Sequence, residues 1–205
     1  MQSGLHGFPS NTPIPNVNRR NAISGVYLAN HASLMIPLLR FTKCPFVFIE
    51  IMNLIPATDN VDALLKFSID GGATFLGGGS TYTYVQYGYY SGGGGAGAAL
   101  GASSQAGSSF SLAGAASSKI SNVQSEGGFS ATICVQQALQ PNQYVPGIRS
   151  HSRFAAATSP GWNGLTVEGV YTGGNYPVNA IQIVPSSGSI DFVRWWAWVP
   201  EWMIP

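Results

Sequence analysis

The chain has 205 residues, with 9 Lys plus Arg against 8 Asp plus Glu and a formal net charge of +1. That balance argues against nucleic acid as the main partner, because such binding is carried by an evident excess of basic residues. Charged residues make up 8% of the chain, against about 25% in an ordinary soluble domain, so much of the surface is expected to be covered by neighbours. Hydrophobic residues at 45% and aromatics at 12% are enough to build a sizeable core.

Residues 1–31 are expected to form an extended arm. Gly4, Gly7, Pro9, Pro13 and Pro15 disfavour a helix in its first half. The Arg19-Arg20 pair either contacts an acidic surface or is solvated. Met1 to Ser10 lack the basic start, apolar stretch and cleavage site of a secretory leader. Cys44 and Cys134 are too few for a disulfide framework. Both features predict a reducing cytoplasm, with the two cysteines as buried free thiols or, as the alternative, bridged to each other. Apolar runs such as Leu34 to Leu39 are too short to cross a bilayer, so no membrane insertion is expected.

From residue 32 to 205 the pattern predicts one β-sandwich domain. Short apolar or alternating runs recur at fairly even spacing, most of them closed by Gly, Pro, Asn or Asp. Candidate strands are Ser33 to Phe41, Phe46 to Leu54, Ala63 to Asp70, Tyr82 to Tyr90, Ser108 to Leu112, Gly128 to Gln137, Ile148 to Ala156, Leu165 to Tyr171, Ala180 to Pro185 and Ile190 to Val199. In the third run Leu65, Phe67 and Ile69 share one face, and Lys66, Ser68 and Asp70 the other. Asp70-Gly71-Gly72 and Ser187-Gly188 read as hairpin or bulge turns. Residues 91–109 are almost wholly Gly, Ala and Ser, a composition that predicts a long loop.

Catalytic and cofactor motifs do not emerge. Gly92, Gly94 and Gly97 match dinucleotide-loop spacing, yet no helix pattern follows and no acid stands near the required place. His6, His31 and His151 lack a second His or Cys at ligand spacing, so neither a metal nor another cofactor is expected. No Gly-x-Ser-x-Gly elbow occurs, and Asp59, Asp62 and Asp70 read as turn residues and not as paired catalytic acids. Alternation places Arg149, His151 and Arg153 on one strand face. They form either a small basic stripe facing an acidic neighbour or a glycan, or a plain exposed sheet face.

The aromatic residues say more. Trp195, Trp196, Trp198 and Trp202 crowd the C-terminal end; Trp196 and Trp198 share a face, while Trp195 points away. A strand apolar on both faces is buried between sheets or packs on another subunit, with sugar stacking as the sharper alternative. Tyr84, Tyr87 and Tyr89 in the tyrosine-rich run form a candidate ligand surface.

Two stretches resemble a known family. Ala63-Leu64-Leu65-Lys66-Phe67-Ser68-Ile69-Asp70-Gly71-Gly72-Ala73-Thr74-Phe75 carries Ser-x-Asp-Gly-Gly-x-Thr, and Val178 to Trp196 carries Ile-x-Ile-x-x-x-x-Gly-x-Ile running into a final strand. Together they resemble the β-sandwich domain appended to virion proteins of tailed bacteriophages. The sequence departs from that pattern where Trp196-Ala197-Trp198 stands in place of the usual Tyr-Gly. The resemblance implies an all-β, jelly-roll-like antiparallel sandwich with no catalysis and no cofactor. It further implies a structural subunit, often trimeric, that decorates the capsid or forms part of a tail fibre and is assembled into the virion in the host cytoplasm. On that reading Arg19, Arg20, Trp195, Trp196, Trp198 and Trp202 are interface residues toward sister copies or other virion proteins. The alternative is a receptor-binding module that meets host surface glycan through Tyr84, Tyr87 and Tyr89.

Overall fold

A computed structural model describes residues 22–90, 98–114, 119–137, 146–157 and 161–203. These form β1 Ala22–His31, β2 Leu34–Pro37, β3 Phe46–Pro56, β4 Ala63–Ser68, β5 Tyr82–Tyr90, β6 Ala98–Gly107, β7 Phe110–Ser111, β8 Phe129–Gln136, β9 Gly147–Ala155, β10 Trp162–Tyr171, β11 Ala180–Pro185 and β12 Ile190–Trp198. Among the described residues, helix is confined to three-residue 3-10 turns. An eight-stranded sheet in the order β1-β12-β3-β8-β9-β10-β5-β6 faces a four-stranded sheet in the order β2-β11-β4-β7. Every pairing is antiparallel.

Period-two alternation builds the core between the sheets. Val47, Ile49 and Ile51 of β3, Ile133 and Val135 of β8, Leu165 and Val167 of β10 and Val193 of β12 point inward from the large sheet. Leu34, Ile36, Leu65, Phe67, Ile181 and Ile183 meet them from the small one. At one end Phe67, Tyr82, Phe110 and Tyr171 pack as an aromatic cluster, with Tyr82 and Phe110 edge to face at 4.8 Å between centroids. The buried Tyr82 hydroxyl accepts the Phe67 N–H at 3.0 Å and donates to the Leu76 carbonyl at 2.8 Å, bridging the two sheets. Burial raises the pKa of that phenol, so it stays a neutral donor. Gln137 makes a second tie: its Nε2 donates to the Val178 carbonyl at 2.8 Å, and its Oε1 accepts the Val178 N–H at 2.7 Å.

The Ser-x-Asp-Gly-Gly-x-Thr stretch has a local physical logic. The Asp70 carboxylate accepts the Thr74 hydroxyl at 2.5 Å, the Thr74 N–H at 2.9 Å and the Ser68 hydroxyl at 2.7 Å. Gly71 and Gly72 hold φ of 77° and 94°, a backbone region that L side chains disfavour. The same turn ends the alternation of β4, because Ser68 is buried to bond this loop and is not turned to solvent.

Three expectations need correction. Residues 1–31 are not all arm, since Ala22–His31 pairs along β12 as an edge strand of the large sheet. Its Ile23 and Tyr27 pack on the core, and Gly25 lets the Trp195 indole lie across it; a Cβ there would fall 2.7 Å from Nε1. The 91–109 loop likewise contains β6, whose Ala98–Gly107 backbone pairs with β5. Ladder hydrogen bonds come from the backbone, so a run of Ala, Gly and Ser suffices. Residues 91–97 lie outside the described residues. Finally, Ser187-Gly188 closes no hairpin within a sheet, because β11 and β12 belong to opposite sheets. Gly188, at φ 73°, turns the chain across the sandwich.

Two predictions follow from these ties. Tyr82→Phe strands the Phe67 N–H in the core and is expected to cost about 1–3 kcal/mol in urea unfolding. Asp70 is held down to about 2, chiefly by the Thr74 hydroxyl. Its contribution is therefore complete above the unfolded carboxylate value of about 4 and is lost as pH falls through about 2. The stability advantage of wild type over Asp70→Asn should hold at neutral pH and vanish in acid titrations followed by circular dichroism.

Candidate functional site

The outward face of the eight-stranded sheet carries the candidate site. Along β12, Trp195 and Ala197 turn to the core while Arg194, Trp196 and Trp198 turn out. The register aligns Trp198 with Phe48 of β3 and Ala22 of β1, and Trp196 with Glu50 and Ser24. Trp198 stacks on Phe48 at 4.8 Å between centroids with an interplanar angle of 22°. Val26 (55% exposed), Met52 (43%) and Phe46 (36%) extend this apolar surface over the β1-β12-β3 half. Glu50 stands within it, its pKa raised by burial against the opposing hydrogen bond from the Thr132 hydroxyl at 2.8 Å.

The β8-β9-β10-β5 half of the same face is polar. Arg149 Nε pairs with Glu168 Oε1 at 3.0 Å, and the Tyr87 hydroxyl donates to the same oxygen at 2.9 Å. His151 Nδ1 pairs with the Thr166 hydroxyl at 2.9 Å. The Arg153 guanidinium lies 4.3 Å from the centre of the Trp162 ring. Arg149, His151 and Arg153 therefore do share one face, as alternation predicts. Cys134 sits at the seam between the halves, opposite Phe48 and Arg149. Burial pushes its thiol up, with Arg149 opposing. Both cysteines are free, and Cys44 is buried.

The other sequence-selected residues scatter. Tyr87 and Tyr89 are exposed on the outward face, but Tyr84 points into the core beside Phe110 and cannot meet a ligand. Trp195 is likewise buried, so its packing partner is Gly25 of the same chain. Trp202 is 79% exposed in a 3-10 turn beyond β12. Arg19 and Arg20 lie outside the described residues.

Asp62 is not the surface turn residue its sequence neighbourhood suggests. It is buried, accepting the Ser111 hydroxyl and the Ala113 N–H and so fastening β7 beside β4. Burial raises its pKa against those hydrogen bonds. The Asp62 backbone N–H donates to the Ser186 hydroxyl at 3.0 Å and the Gly114 N–H to the Ser111 hydroxyl at 2.9 Å, so the group joins three segments, which is the chemistry of a structural clamp. Among the described residues no three His, Cys, Asp or Glu are grouped to hold a metal ion, and no helix is long and apolar enough to cross a membrane. Sequence reasoning missed Phe46, Phe48, Met52 and Val26, whose i, i+2 spacing along β3 and placement on β1 were the available signals.

Comparison with protein-family models, curated proteins and solved structures finds no match for this chain. The Glu50–Thr132 pair offers a local test of the geometry. Thr132→Val removes the hydroxyl that favours the ionised carboxylate, so the Glu50 pKa is expected to rise further when followed by carbon-detected NMR.

Proposed function

We propose that this chain is a non-enzymatic structural subunit of a larger assembly, of the kind its sequence resemblance points to in bacteriophage virions: a capsid decoration protein. In this reading the segment before β1 attaches to the particle, and the outward half-face of β1, β12 and β3 joins sister copies, most simply as a trimer. One observation carries the reading: the apolar half-face itself. Phe46, Phe48, Met52, Val26, Trp196 and Trp198 all project from one side of three adjacent strands. Apolar side chains gathered on one face, here interrupted by Arg194 between Val26 and Met52 and by Glu50 beside Trp196, mark an interaction site, and aromatic residues dominate binding energy at interfaces. The scarcity of charge supports the same reading, because 8% charged residues leave few groups to solvate an isolated surface. The adjoining edge strand β1 adds to it, for Ala22–His31 contains neither a charge nor a proline to discourage a docking neighbour. A jelly-roll-like wiring belongs to the proposal as well, supported by connections that pass repeatedly from one sheet to the other.

Sedimentation velocity of the full chain tests this. The wild type is expected to sediment as a discrete oligomer. Val26→Asp combined with Met52→Asp should yield a monomer whose unfolding midpoint is close to wild type, since both side chains already meet solvent in the single chain. A wild-type monomer at high concentration, or an oligomer unaffected by both substitutions, would overturn the proposal.

A further inference from the structure

The polar half of the outward face has a different chemistry from the apolar half and a different use. The geometry points to a binding site for a carboxylate-bearing sugar, such as a uronic or sialic acid residue of a glycan, built from Tyr89, Gly164, Arg153 and Trp162. This inference is independent of the assembly role.

Strand register places Arg153 of β9, Gly164 of β10 and Tyr89 of β5 in one row across the sheet. At Gly164 a Cβ would fall 2.5 Å from Cε1, 2.7 Å from Cζ and 2.9 Å from the hydroxyl oxygen of Tyr89. The tyrosine ring thus occupies the space that a side chain at position 164 would fill, over bare glycine backbone. Tyr89 is 53% exposed. A ring pinned this way loses little further freedom when a ligand stacks on it, and a flat aromatic face suits the C–H-bearing face of a pyranose.

Charge selects the ligand class. Of the two arginines on this half of the face, Arg149 is neutralised by Glu168, which also accepts the Tyr87 hydroxyl. Arg153 makes no ion pair among the described residues and is held over the Trp162 ring. Its guanidinium is therefore an oriented fork with no carboxylate of its own, matched to a carboxylate from outside. Two strand spacings separate Arg153 from Tyr89, about 10 Å at the backbone. A sugar ring against Tyr89 with its exocyclic carboxylate turned toward the guanidinium over Trp162 is of a size to bridge that gap. The next row supplies the His151–Thr166 pair, whose polar atoms are at hand for sugar hydroxyls.

The test uses the full chain titrated with trigalacturonate and 3′-sialyllactose, with maltotriose and lactose as neutral counterparts and tetra-aspartate as a charge control. Calorimetry is the readout. At least one carboxylated sugar is expected to bind about tenfold or more tightly than its neutral counterpart, a difference of about 1.4 kcal/mol. Tetra-aspartate should not compete. Tyr89→Ala and Arg153→Gln should each weaken binding about tenfold or more. Tyr89→Phe, which keeps the aromatic ring, should retain it, and Leu39→Ala, an exposed position in neither half-face, should leave it unchanged. Failure of both carboxylated sugars to bind, equal binding of neutral sugars or tetra-aspartate, or binding indifferent to both Tyr89→Ala and Arg153→Gln would overturn the inference. None of these results depends on oligomeric state, so the assembly proposal stands or falls separately.

Discussion

Two-residue alternation in the eight-stranded sheet is the constraint from which the rest follows. A strand cannot turn adjacent side chains to the same side, so each inward Val, Ile or Phe that builds the core fixes what its neighbours present outside. Val47, Ile49 and Ile51 facing in force Phe46, Phe48, Glu50 and Met52 out. Trp195 and Ala197 facing in force Trp196 and Trp198 out. The core thus dictates the register of the outward face, and slipping any strand by one residue would exchange the two.

Backbone and buried polar groups then tie the unequal sheets together. Four strands cannot cover the inner face of eight, and the Tyr82 hydroxyl, the Gln137 amide and the Asp62 carboxylate each bind peptide groups of segments reaching across or along the sandwich. Such groups stabilise only when every partner is present, which gives them more influence over the connection of the strands than over total stability. Asp70 acts differently. It is fully exposed, and its role is to close a local turn whose glycines no other residue type replaces easily.

Ten strands were legible in the sequence, because each shows either alternation or a short apolar run bounded by turn residues. The other two were not. β1 follows a proline-rich stretch and contains Ser24, Gly25 and Asn30, while β6 is built from residues that carry almost no hydrophobic signal. Their pairing rests on backbone hydrogen bonds to β12 and β5, which leave no mark on side-chain pattern. At the site, alternation correctly separated Trp195 from Trp196 and Trp198, and grouped Arg149, His151 and Arg153. It misplaced Tyr84 because a run of tyrosines looks alike on both faces. The row joining Tyr89 to Arg153 was beyond reach of the sequence, since cross-strand register depends on where each hairpin turns.

The two halves of the outward face differ in how their polar groups are committed, and this bears on their uses. On the β1-β12-β3 half, Glu50 is half-buried among aromatic side chains with a single hydroxyl partner, and its pKa is raised in consequence. Covering that half with another surface would leave Glu50, and Arg194 between Val26 and Met52, to be satisfied by the partner. On the other half, Glu168 and Arg149 already neutralise each other, the Tyr87 hydroxyl is spent on the same carboxylate, and Arg153 has no carboxylate partner among the described residues. A protein partner spread over that half would cover the exposed Val85 and Val170 but would have to desolvate an ion pair and the Arg153 guanidinium to do so. A small anionic ligand need engage only the guanidinium and one ring face, leaving the ion pair in water. The same sheet can therefore be held by an assembly on one side of the Cys134 seam while its other side stays open to solvent.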